Sequence, residues 1–232
     1  MVNRLTEFIA QTKGISTNRY IYFDQGISYT YDEEQLVQAF TDFKEDKKGG
    51  EYFSDKTFKI QVDEFNDFLK DYKKSVTGIK FDEDNSIEII TSIPNTSLKF
   101  KWEKTDTAKL KRIKNFFEDL NTEVKNRIFD YNFTKDELTK FIGEKSNRMF
   151  ADLANNCISF TDENLTNFLM ISIFPKYLGK LLASTKEFNL KIYNTDKESI
   201  FLIHYTIRNM NITSNYFGLC SDLIPLEEGG LD

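Results

Sequence analysis

Cysteine is scarce in this chain of 232 residues, and proline, histidine and glycine are few. Cys157 and Cys220 are the only two thiols. Two thiols provide neither a disulfide framework nor metal-ligand spacing, and both sit among apolar neighbours as buried free thiols do. A single histidine, His204, leaves no His/Cys metal cluster. Three prolines and 10 glycines exclude a low-complexity or collagen-like chain. The most apolar stretch, 168–174, is interrupted by Ser172 and is far too short to span a bilayer. Arg4 and Glu7 interrupt the first ten residues, which excludes the apolar core of a signal peptide. These absences point to a soluble cytoplasmic protein, neither secreted nor membrane-bound.

Aromatic side chains are abundant by contrast. Twenty-two phenylalanines and 11 tyrosines favour packed sheets. Length and composition allow two domains, each with its own core.

The first half opens with a helix at 3–12, capped by Asn3 and stopped by Gly14, with Leu5, Phe8 and Ile9 on one face. Strands follow at 20–23 and 27–31 around the hairpin signal Asp24-Gln25-Gly26. Further strands are expected at 36–43 and 58–61, with a polar loop at 44–50 between them. Asp63 then caps a helix carrying Phe65, Phe68, Leu69 and Tyr72 at helical spacing. Strands at 78–81, 86–91 and 97–102 complete this half.

The second half repeats that grammar. Thr134 and Glu137 form a capping box ahead of Leu138, Phe141 and Ile142. Strands are expected at 148–152, 157–161 and 166–173, and Pro175 opens a helix to 184. Strands at 188–193, 199–207 and 211–219 follow. Between the halves, 105–129 reads as a basic helix with Leu110, Ile113, Phe117, Leu120 and Val124 at approximate helical spacing. The expected class is therefore α+β, with two similar domains at 1–104 and 129–232 joined by a connector at 105–128. Each domain packs two helices on a curved, mainly antiparallel sheet.

Charge is the most informative signal. The chain carries a net charge of -6, yet each of the four short helices bears lysine or arginine. With about 100° per residue on the helical wheel, these cations fall away from the apolar stripes. They are Arg4 and Lys13; Lys70, Lys73 and Lys74; Lys135 and Lys140; and Lys176 and Lys180. Scattered lysines address phosphates as point charges and read no bases. The aromatics occupy the stripes, so stacking on single strands is not the expected mode. An enzyme is poorly supported: His204 lies mid-strand, and no phosphate loop or nucleophile elbow is present. Asp82, Glu83 and Asp84 lack the glycine and closing glutamate of a calcium loop and read as a solvated turn.

Element order, length, acidic balance and basic helices together resemble the DNA sliding clamps, nearest those of T-even-type bacteriophages. The local echoes are Phe58-Lys-Ile-Gln-Val-Asp-Glu-Phe-Asn-Asp-Phe-Leu69, Phe133-Thr-Lys-Asp-Glu-Leu-Thr-Lys-Phe-Ile142, and 203–207 through 215–219. The resemblance implies a ring, formed as a homotrimer, that encircles double-stranded DNA without sequence preference. It implies DNA polymerase and clamp loader as partners, no cofactor, no catalytic residue, and a bacterial host cytoplasm if the chain is viral. The helical cations named above would face the hole. A partner pocket on the outer face would be lined by Tyr216, Phe217, Leu219, Leu223 and Ile224, with 105–129 as a possible neighbour. The family has an extended connector where this chain has a basic helix. The alternative reading is a non-enzymatic adaptor or structural protein that binds other proteins through sheet edges.

Overall fold

Gln25 and Gly26 both adopt positive φ, 47° and 86°, the backbone of a type I′ turn. That turn matches the twist of the strands it joins, β1 (Tyr20–Asp24) and β2 (Ile27–Asp32). The computed structural model describes residues 2–13, 19–32, 37–42, 46–47, 50–122, 127–143, 149–161, 168–171, 185–195, 200–209 and 212–220. Expectations for the helix at 175–184 therefore lie outside the described residues.

Helix α1 (Val2–Lys13) precedes the hairpin, and β3 (Val37–Asp42) follows it. A single turn, α2 (Gly50–Phe53), leads to β4 (Thr57–Gln61), which runs directly into α3 (Val62–Tyr72) and a 3₁₀ turn at Lys73–Ser75. Three strands, β5 (Val76–Phe81), β6 (Ile87–Thr91) and β7 (Ser97–Phe100), end the first half. Then comes α4 (Lys104–Thr122). The second half holds β8 (Arg127–Asn132), α5 (Lys135–Gly143), β9 (Met149–Asp152), β10 (Cys157–Ser159) and β11 (Phe168–Ile171). It ends with β12 (Glu187–Asn194), β13 (Phe201–Asn209) and β14 (Ile212–Cys220).

Three sequence expectations need correction. Asn3 lies inside α1 rather than capping it. Gln61 holds the N-cap position of α3, so Asp63 sits in the first turn, where its charge still suits the helix dipole. The connector helix is described as far as Thr122, residues 123–126 lie outside the described residues, and Arg127 to Phe129 belong to a strand, β8, that helical spacing concealed. Thr134 and Glu137 do form the capping box: the Thr134 amide donates to Glu137 Oε2 at 2.7 Å, and the Glu137 amide to Thr134 Oγ1 at 3.3 Å.

All described strand pairs are antiparallel. Eight strands form one sheet in the order β4-β1-β2-β3-β14-β13-β12-β8. Four come from each half, and β3 pairs with β14 at the centre, with Ala39 opposite Tyr216. Two three-stranded sheets stand apart, β5-β6-β7 and β10-β9-β11. The unit strand–helix–three strands thus occurs twice, as β4 to β7 and as β8 to β11. The order within the small sheet differs between the copies.

Strand alternation decides which face each residue takes. One core gathers Leu5, Phe8 and Ile9 of α1 with Ile21, Phe23, Phe58, Phe65 and Leu69. A second gathers Leu138 of α5 with Phe188, Leu190, Ile203, Tyr205 and Tyr216. Ile212 belongs to the first core and Tyr216 to the second, and both are even-numbered residues of β14. Hence α1, α3 and α5 cover the same face of the large sheet. The opposite face carries Tyr22, Tyr29, Leu202 and Phe217, with Leu110 and Ile113 of α4 laid over them.

Candidate nucleic-acid interface

Amphipathic packing turns the polar sides of α1, α3 and α5 outward. Phe65 and Leu69 are buried while Lys70, Lys73 and Lys74 are exposed. On α5 Leu138 is buried and Lys135 and Lys140 are exposed. Among the described residues no ion pair engages Lys73, Lys74, Lys135 or Lys140, so their charges face water. Lys70 differs. Its ammonium meets Asp67 one turn away at 2.6 Å, and that hydrogen bond raises its pKa. Both partners are largely exposed, so the pair is weak and open to competition by phosphate.

Arg4 is more firmly committed. It is half-buried, bonded to Glu7, and 3.3 Å from the buried carboxylate of Asp46. Its guanidinium ties α1 to the segment ahead of α2. Lys13 ends α1. Lys176 and Lys180 lie outside the described residues.

Tyr216 and Phe217, neighbours in β14, point to opposite faces. Tyr216 is fully buried beneath α1, and its hydroxyl donates to the carbonyl of Gln11. Ser214 Oγ donates to Gln11 Oε1 at 2.8 Å beside it. Phe217 lies on the α4 face, its ring stacked 4.2 Å from His204. One pocket cannot be lined by both aromatic side chains. Leu219 pairs through its backbone with Leu202, and Leu223 and Ile224 lie outside the described residues.

His204 is fully occupied structurally. Its Nε2 is 2.9 Å from Asn215 Oδ1 and 3.2 Å from Thr206 Oγ1. Burial pushes its pKa down to about 4, and the Asn215 contact offsets that only partly. Asp82 is held well below the usual carboxylate range by Lys99 and Lys80, and Ser86 Oγ also donates to it. The 82–84 turn is thus a salt-bridged hairpin end. Among the described residues no group of His, Cys, Asp and Glu is arranged to hold a metal ion. Nor, among the described residues, is any helix long and apolar enough to cross a membrane.

Sequence reasoning missed the α4 face. There Asp106 bonds Lys59 of β4, and Lys114 meets Asp24 of β1 at 2.7 Å. The spacing of Leu110 and Ile113 announced a buried stripe, but nothing local said which side of the sheet would receive it.

No protein-family profile and no curated protein sequence matches this chain. Solved structures do. The beta chain of DNA polymerase III from Streptococcus pneumoniae TIGR4 superposes with a TM-score of 0.52 at 12% identity, covering 96% of this chain. The fold is that of a beta sliding clamp. An H. pylori beta clamp in complex with diflunisal matches 97% of this chain at 13% identity, with a TM-score of 0.49. This chain spans 64% of the length of each of those clamps.

Proposed function

We propose that the chain is one subunit of a ring-shaped sliding clamp that encircles duplex DNA and tethers a replicative polymerase. One observation carries the reading: α3 with its 3₁₀ turn and α5, one from each half, present lysines that enter no ion pair among the described residues (Lys73, Lys74, Lys135 and Lys140), on the face of a continuous sheet that α1 also covers. Such a surface attracts phosphates without reading bases, so the protein can slide. The two clamp domains are those expected at 1–104 and 129–232, with the second beginning at β8, from Arg127, and α4 lying between them. Lys70, Lys73, Lys74, Lys135 and Lys140 line the hole, together with Lys13, Lys176, Lys180 and the structurally committed Arg4. The acidic remainder keeps DNA off other surfaces.

Topology holds the ring on DNA, and tethering raises the local concentration of polymerase at the primer end. The protein performs no chemistry of its own. A clamp loader opens or assembles the ring, and three subunits close it, as the phage clamp resemblance implies. The partner pocket lies on the α4 face, where Phe217 packs, with Leu219, Leu223 and Ile224 following in the chain. Tyr216 serves the core instead.

The test combines mass and function. Light scattering should give three times the subunit mass of 27.2 kDa. Reversing Lys73, Lys74, Lys135 and Lys140 to glutamate should abolish stimulation of the polymerase on a circular template while the chain stays folded. Stimulation that survives the reversal would sink the inner-face assignment. A persistent monomer, with or without DNA and loader, would favour an adaptor that works through its sheet edges.

A further inference from the structure

The side of α4 turned away from the sheet holds a concentration of positive charge that the clamp reading leaves unused. Lys104, Lys109, Lys111 and Arg112 are all exposed. Among the described residues none of them enters an ion pair. The carboxylates beneath α4 are already taken. Asp106 accepts from Lys59 and from the Glu103 amide, at 2.9 Å for the latter. Asp24 accepts from Lys114 and from Thr57 Oγ1, each within 2.8 Å. Local pairing therefore neutralises the underside of α4 and leaves its exposed side basic, within a chain of net charge -6.

The patch is short and bounded. From Lys104 to Arg112 the helix rises about 12 Å. Glu103 precedes it, and the exposed Glu118 and Asp119 follow on the same helix. A duplex laid along α4 would carry its phosphates over those two acids. An extended peptide of about four residues matches the length of the patch and stops short of them. We propose that the exposed side of α4 is a docking surface for a short segment of a partner protein rich in aspartate and glutamate. The interaction is electrostatic, chiefly a matter of encounter rate and register, and weakens with salt. It stands on α4 alone and does not use the DNA-facing assignment of the other helices.

The experiment titrates the full chain into a short fluorescent polyglutamate peptide and, separately, into a short fluorescent duplex, reading anisotropy at low ionic strength. The reference variant is K135E/K140E, on the opposite face. In K104E/K109E/K111E/R112E the peptide affinity should fall about tenfold or more, as expected for several rim charges reversed together. In K135E/K140E it should stay within about twofold of the native chain. Circular dichroism confirms folding, and the milder K111A/R112A variant, with a smaller loss expected, replaces the quadruple variant if that fails to fold. The proposal is overturned if the native chain does not bind the peptide. Equal weakening in both charge-reversal variants would also overturn it, since net charge alone would then be responsible. So would duplex binding that is lost only in the α4 variant, which would make α4 a nucleic-acid surface. Loss of duplex binding in K135E/K140E alone bears on the clamp reading and leaves this one untouched.

Discussion

On one face of the eight-stranded sheet, α1, α3 and α5 bury Leu5, Phe8, Phe65 and Leu138 into two aromatic cores. On the other, α4 rests on Tyr22 and Tyr29 through Leu110 and Ile113, and is pinned at its margins by Lys59–Asp106 and Lys114–Asp24. The first face is held by dispersion and apolar burial, which tolerate no gap. The second relies on a few apolar contacts and on charges whose strength depends on their partners. The functions proposed above assign rigidity to the first layer and partner contact to α4, and the two attachments suit those assignments.

The sharpest way to break this comparison is to open a hole on the helix face. Phe8 is fully buried and meets Phe53 edge-on at 5.8 Å. Phe8→Ala should cost about 3 to 5 kcal/mol in denaturant unfolding. A loss below that of any α4 substitution would show that the two faces had been ranked wrongly. On the α4 face, Asp106→Asn strands the Lys59 ammonium, whose side chain is 12% exposed, and should cost about 2 to 3 kcal/mol. Pairing it with Lys59→Met should recover most of that loss. Failure to recover would mean that Asp106 acts through the Glu103 amide instead.

His204 sharpens the contrast through pH. Its folded pKa of about 4 lies below the ordinary 6.5, so the unfolded chain binds the extra proton first. Stability is therefore full above about pH 6.5 and declines as pH falls toward 4, by about 2 kcal/mol after allowance for partial exposure. Comparing unfolding free energies at neutral and acid pH, with and without His204→Phe, isolates this contribution; the variant should flatten that part of the profile. The smallest effect is expected at the start of α5. Thr134→Ala removes one side of the capping box and should cost about 1 kcal/mol, read as a lower Tm.

Periodicity made most elements legible because they are amphipathic. The aromatic run 20–23 and the alternation at 27–31 about Asp24-Gln25-Gly26, helical spacing at Phe65 and Leu69, and the Thr134–Glu137 pair each carry their local structure in plain view. What stayed hidden was long-range. The β3–β14 pairing at the centre of the sheet joins residues far apart in sequence, and nothing within either strand names its neighbour. β8 was masked because 105–129 keeps a helix-like stripe past the point where strand pairing with β12 takes over. Among the site residues, exposure of the α3 and α5 lysines followed from the wheel. The diversion of Arg4 to Asp46 and of Tyr216 to Gln11 did not, since both depend on tertiary partners.

The contacts of Gln11 with Ser214 and Tyr216 join positions 203 and 205 residues apart. During synthesis, α1 and the first four strands leave the ribosome long before the strand that completes their sheet. Until β14 arrives, β3 presents an unpaired edge, the kind of surface that recruits other strands and aggregates. Contacts of such high sequence separation also slow folding, because the loop must close before its pairing is rewarded. The same seam that unites the two halves therefore makes the newborn chain dependent on its last strand.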